Sequence, residues 1–169
     1  MAAKSLGVET IIAVDIVDEK LALAKALGAS STINSKSGSA VSQIKELTGR
    51  GANHSIDCTG IVSVIEDAVE CIGPLGTAAI VGVPPGGKNL KIDPLPFLLE
   101  NKKLVGVIEG DSNPTEFIPQ LMEMHQAGTF PVEKLCKTYP IERFEDALAD
   151  IKSGKVSGAT DNRTMHITN

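Results

Sequence analysis

The sequence predicts an α/β protein built on a doubly wound, mainly parallel sheet. Short apolar runs alternate with stretches of helical periodicity at regular spacing. The runs are continuous rather than alternating, which suits strands covered on both faces. Repeated strand and helix at this spacing argues for parallel pairing, because each parallel strand needs a crossover. A third observation is Asp15, an acidic residue that closes the first apolar run just before a helical pattern begins.

Ala2 to Leu6 reads as the last turns of a helix stopped by Gly7, a residue suited to the position just past a helix end. The strand Ile11 to Asp15 leads into a helix from Asp18 to Leu27, with Leu21, Ala24 and Leu27 on one face and Gly28 as its stop. Ser31 to Asn34 is a short strand, and Ser39 to Thr48 a helix ended by Gly49. His54 to Cys58 and Val62 to Ile72 repeat the rhythm. Gly73-Pro74-Leu75-Gly76 is a turn by composition, leading into the strand Thr77 to Val83.

Beyond Pro84 the rhythm changes. Pro84 to Gly87 is a loop, Pro94 to Glu100 a short helix, and Leu104 to Ile108 another strand. Gly110 to Pro114 starts a helix that runs to Gln126, with Phe117, Ile118, Leu121 and Met124 on its apolar face. The last helix, Arg143 to Ser153, places Phe144, Ala147, Leu148 and Ile151 together before Gly154. Ser157 to Asn169 is polar and aperiodic, with no sign that it packs.

Composition narrows the function classes. At 169 residues and 42% hydrophobic content, the chain can bury one good core. A net charge of -5 and no basic cluster leave no electrostatic footprint for nucleic acid or an anionic membrane. Gly, Pro or charge interrupts every apolar run well short of the about 20 residues a membrane helix needs. The start is too short and too weakly apolar for a signal peptide, so a cytoplasmic protein is expected. Cys58, Cys71 and Cys136 lack CxxC spacing and read as buried small hydrophobes.

In a dinucleotide-binding unit, an acidic residue closing the second strand lies about 20 residues after a Gly-rich phosphate loop and accepts hydrogen bonds from ribose hydroxyls. Asp15 fits that acceptor, and counting back places the loop before Met1. The expectation is a sheet without its first strand and a chain without the pyrophosphate cradle.

Five pieces then converge on one family: AAKSLG from Ala2, VDIVDEKLALAKALGAS from Val14, DCTG from Asp57, IGPLGTAAIVGVPP from Ile72, and FEDALADIKSGK from Phe144. In this order and spacing, from Ala2 to about Val156, the chain resembles the zinc-type medium-chain alcohol dehydrogenases, with the aryl-alcohol branch as a subgroup. The resemblance implies a partial Rossmann domain over residues 1–110, a return into the catalytic domain over 111–156, and a polar tail over 157–169.

The resemblance also implies site residues. Asp15 would hold the adenosine ribose, its charge repelling a 2′-phosphate and so favouring NAD over NADP. Lys20 would reach the same ribose. Thr59 and Gly60 would lie against the cofactor, Val81, Gly82 and Val83 near its nicotinamide half, and Val107 and Ile108 at the edge of the nicotinamide site. Independently of family, Asp15, Thr59, Gly82 and Val83 close strands at their carboxyl ends, where doubly wound sheets bind ligands. Gly60 and Gly82 allow close backbone approach. The alternative for Asp15 is a charge placed at the positive end of a helix dipole.

The family's catalytic zinc, held by Cys, His and Cys or Glu ligands, has no ligands in this chain, nor are the clustered cysteines of a structural zinc lobe present. Ser157 to Asn162 departs from the basic, apolar final strand of the family. Pro94 to Leu104 resembles the segment through which family members form homodimers.

Other motifs fail on chemistry. Gly82 to Asn89 nearly spells a P-loop, but Asn89 replaces Ser or Thr, and Pro84 and Pro85 remove amide donors. His54 and Cys58 share a strand face and Asp57 points to the other, too few ligands for a metal. His125 and His166 read as solvated, and no GxSxG elbow is present. Loss of the central strand should expose two backbone edges in mid-sheet. The chain is therefore expected to be an excerpt of a larger polypeptide, or a short form that folds poorly or rearranges. Its functional readings are the NAD-binding portion of an alcohol dehydrogenase acting on a primary or aromatic alcohol or aldehyde, inactive alone; a non-catalytic nucleotide-binding or dimerisation module; or a non-functional truncated product.

Overall fold

Glycine and short polar caps set the ends of the elements in the computed structural model, which describes residues 1–153 and the backbone of Thr160–Asp161. The chain divides into two compact units, one of Glu9–Asn113 and one of Met1–Val8 with Pro114–Asn169.

The larger unit holds β1 (Ile12–Asp15), α2 (Asp18–Ala26), β2 (Ser31–Asn34), α3 (Ala40–Thr48), β3 (Ala52–Asp57), α4 (Val62–Glu70), β4 (Ile72–Ile80), α5 (Pro94–Leu99) and β5 (Lys103–Gly106). Helix α1, in the smaller unit, spans Ala2–Ser5. The Ser39 side chain caps α3 by accepting from Ser42 N–H, and Gly49 leaves the helix at φ 72°. Gly28, beyond α2, has φ 116°, open to glycine alone at no steric cost. Asp93 caps α5, whose first residue is Pro94.

All strand pairs of this unit are parallel, but they form two sheets: β1-β2 and β3-β4-β5. Among the described residues, β1 and β3 each pair along one edge only. This is the expected split, two open backbone edges where a central strand would pair. The expectation that the runs are covered on both faces is corrected here. Ile56 of β3 is 67% exposed and Val14 of β1 43%. Helix α3 links the halves, contacting β2, β3 and α4. The core comprises Ile33, Ala40, Val41, Ile44, Val69, Cys71, Ile72 and Ala78, with Ile12, Phe97 and Leu104 among the residues packed on it.

Two strand assignments shift. The Gly73–Gly76 turn lies within β4: the register steps from Ala52↔Ile72 to His54↔Thr77, so three extra residues sit on the β4 side. Leu75 at φ 61° takes the irregular conformation, and its N–H donates to Glu100 O at 2.7 Å. At the other end β4 stops at Ile80, so Val81, Gly82 and Val83 form the loop after the strand.

In the smaller unit, α6 covers Pro114–Gln126 as expected, although Pro119 lies inside it and none of its residues is buried. Helix α7 (Phe144–Lys152) buries Ala147. Asp150 ties this helix to β6 (Lys137–Thr138): its Oδ2 accepts from Tyr139 Oη at 2.6 Å and Lys137 Nζ at 2.8 Å. β6 pairs in parallel with β7 (Thr160–Asp161), so two residues of the polar tail do pair. Gly154 and His166 lie outside the described residues.

Candidate functional site

The carboxyl ends of β1, β3, β4 and β5 carry the residues singled out in the sequence. Asp15 ends β1 and uses Oδ1 to accept from Ile16 N–H at 2.7 Å and Val17 N–H at 3.0 Å. That oxygen organises the turn into α2, while no described residue bonds Oδ2. The capping and ligand readings are thus compatible, since each takes one oxygen. Lys20 is half-buried in the first turn of α2.

The second cluster forms around a residue that sequence reasoning weighed only as a metal ligand and set aside. Asp57 ends β3 and is 2% exposed. Its Oδ1 accepts from Thr59 N–H at 3.0 Å and from Thr59 Oγ1–H at 2.7 Å, and its Oδ2 accepts from Gly60 N–H at 3.0 Å. Its backbone carbonyl accepts from Val81 N–H at 2.9 Å and Gly82 N–H at 3.0 Å. One residue therefore holds both loops in place. The available signal was the Asp-Cys-Thr-Gly run itself, since Asp and Thr bond to backbone two or three residues on in turns of this kind.

The loops also touch backbone to backbone. A Cβ on Gly82 would stand 2.1 Å from Gly60 N, and one on Gly60, whose φ is 68°, would stand 2.4 Å from Val83 O. The close approach these glycines permit is to each other. Val107 N–H donates to Ile80 O at 2.9 Å, setting the end of β5 beside this pair of loops. Val83 and Ile108 are exposed there. Among the described residues, no hydrogen bond or ion pair joins Asp15 or Lys20 to this second cluster.

Cys58 is exposed, not buried as expected; Cys71 is buried and Cys136 half-buried, and all three are free thiols. Desolvation and then the Asp57 charge push the Cys58 thiol above its ordinary value, the opposite of an activated nucleophile. His125 is exposed, with Nδ1 3.1 Å from Phe130 O and 3.6 Å from Glu133. Among the described residues no group of three or more His, Cys, Asp or Glu could hold a metal ion, and no helix is long and apolar enough to cross a membrane. An open groove of about 440 Å³, lined by Lys25, Ser30, Gln43 and Glu46, lies at the amino end of β2, away from the strand ends that carry these loops.

The profile of the zinc-binding dehydrogenases matches residues 1–126. The chain belongs to that family. This zinc-binding dehydrogenase chain is 33% identical over 156 residues to geraniol dehydrogenase of Castellaniella defragrans, a match covering 92% of the chain and 42% of that enzyme. Among solved structures, benzyl alcohol dehydrogenase of Acinetobacter calcoaceticus superposes with a TM-score of 0.88 at 41% identity, over 90% of this chain and 42% of that one. An alcohol dehydrogenase zinc-binding domain protein of Burkholderia ambifaria gives 0.85 at 42% identity, over 88% and 40%. The chain spans about two fifths of the length of these relatives. The zinc-type alcohol dehydrogenase resemblance and the Rossmann-type α/β fold read from the sequence are both borne out.

Proposed function

We propose that this chain is the NAD-binding portion of a cytoplasmic alcohol dehydrogenase that interconverts a primary or aromatic alcohol and its aldehyde, and that it is inactive alone. The observation that carries this is Asp15, whose carboxylate closes β1 with one oxygen bonded to the turn and the other open. A ribose diol needs such an acceptor, and a carboxylate there disfavours a 2′-phosphate by like-charge repulsion. Lys20 adds a cation at the same helix start.

The nicotinamide ring, when bound, supplies the hydride acceptor or donor. In this reading Thr59, Gly60, Val81, Gly82 and Val83 form the wall along the cofactor, and Val107 and Ile108 edge its nicotinamide end. The exposed apolar side chains of Val81, Val83 and Ile108 give that wall a surface from which a planar ring excludes water. Zinc is a different matter: the described residues hold no set of donors that fits it. Support for the alcohol class comes from relatives named for geraniol and benzyl alcohol.

A homodimer through Pro94 to Leu104 belongs to the same proposal. Leu98 and Leu99 are 74% and 73% exposed on α5, and β5 has an unpaired outer edge among the described residues. Titration with NADH, followed by nicotinamide fluorescence, tests the cofactor assignment. Saturable binding is expected, and a linear, unsaturable signal overturns it. Turnover of benzyl alcohol by this chain alone would overturn its assignment as inactive.

A further inference from the structure

We propose that Asp57 is the positioning residue of the cofactor site, acting through Thr59 and through the loop Val81–Val83; this rests on the NAD-binding reading above. A carboxylate 2% exposed is costly to bury unless both of its oxygens find donors. Asp57 meets that condition with three donors, all from Thr59 and Gly60. None comes from a neighbouring helix or a basic side chain. The buried charge is spent wholly on the shape of one loop.

The same residue governs the second loop by its carbonyl, which takes the N–H groups of Val81 and Gly82. Gly60 and Gly82 then meet with no room for a methyl group between them. The two loops are tied together, because displacing either breaks bonds to Asp57 or drives backbone into backbone.

The chemistry of Thr59 follows. Its Oγ1–H is committed to Asp57, and Oγ1 accepts from Ile61 N–H at 3.0 Å. A hydroxyl has one proton and two lone pairs, so one lone pair is left for a ligand. Thr59 therefore presents an acceptor, suited to a sugar hydroxyl or an amide N–H and unsuited to a phosphate oxygen. Without the Asp57 carboxylate the Thr59 rotor is released and can present its proton instead.

The test uses the full chain, with NADH as the probe, in wild type, D57N, T59V and the double variant. The amide introduced by D57N would keep an acceptor for Thr59 but turn its own N–H toward Gly60 N–H, leaving that buried donor unpaired. With the far-UV signal unchanged, D57N is expected to weaken NADH binding about tenfold and T59V about fivefold. The double variant should lose no more than D57N alone, since the unpaired Gly60 N–H in D57N already displaces the loop that carries Thr59 and leaves no placed hydroxyl for T59V to remove. Losses that multiply in the double variant, or D57N binding within twofold of wild type, overturn the assignment. Should D57N not fold, T59V decides: a loss supports the proposal and binding within twofold of wild type overturns it. Unsaturable binding by wild type overturns the cofactor reading itself, and this assignment with it.

Discussion

Gly60 and Gly82 meet backbone to backbone at the carboxyl ends of β3 and β4, where a Cβ on Gly82 would stand 2.1 Å from the Gly60 nitrogen. Backbone cannot swing aside as the end of a long side chain can, so a methyl group at either position must part the loops. Gly60→Ala adds a second cost, because φ 68° is unfavourable for any side chain. Each alanine substitution should lower stability by about 2 kcal/mol, the scale of local backbone strain and overpacking. Gly86→Ala, with open space around it, should stay within about 0.5 kcal/mol. Urea unfolding of the three variants checks the contrast, and equal stability of all three would refute it.

On the proposed reading, Asp15 sets the preference for NADH over NADPH. Replacing it with Ser should weaken NADH binding by about tenfold, the scale of a charge-assisted hydrogen bond, and should narrow the difference from NADPH by removing the repelling charge. Fluorescence titrations with both dinucleotides measure this. A variant that keeps the wild-type ratio of the two affinities would show that Asp15 serves the turn alone.

Asp67 offers a prediction in pH. Desolvation first, then Glu70 and Glu66, raise its carboxyl above the ordinary value. The folded state thus holds that proton more tightly than the unfolded chain, so the ionised group costs stability at neutral pH. The cost shrinks as pH falls through the raised folded value and is gone below the unfolded one. It is small because Asp67 is exposed. Asp67→Asn should stabilise the chain by about 0.4 kcal/mol at pH 7, aided by removal of a negative charge near the C-terminus of α4. The gain should vanish in acid, as urea midpoints measured across pH would record.

Association should depend on the exposed leucines of α5. Leu98→Asp puts a charge in the proposed contact and should convert a dimer to a monomer without altering the far-UV spectrum. Light scattering after gel filtration at micromolar concentration decides, and a wild type that runs only as monomer removes the dimer.

Much of this architecture was legible residue by residue. The limits of β2 and α6 match those read from the sequence, and the ends of α2 and α3 fall where Gly28 and Gly49 stop them. Even the two open strand edges, at β1 and β3, match the expectation from the sequence. These are local signals: a helix repeat, a cap or a glycine stop is written within one turn of the position it governs.

What tertiary structure alone decided is non-local. The three extra residues in β4, the exposure of Cys58 and the contact of Gly60 with Gly82 depend on how β3 and β4 register against each other. Asp57 illustrates the difference best. Its position on a strand was readable, and so was its place on the face opposite His54. That its carboxylate holds one loop while its carbonyl holds another could not be read, because the second loop reaches it only through parallel pairing of strands separated by a whole helix. The sequence by itself determined the elements, the family resemblance and the acceptor at Asp15. Folding determined which two loops Asp57 holds, one by its carboxylate and one by its carbonyl, since a hydrogen bond across strands needs both partners in place.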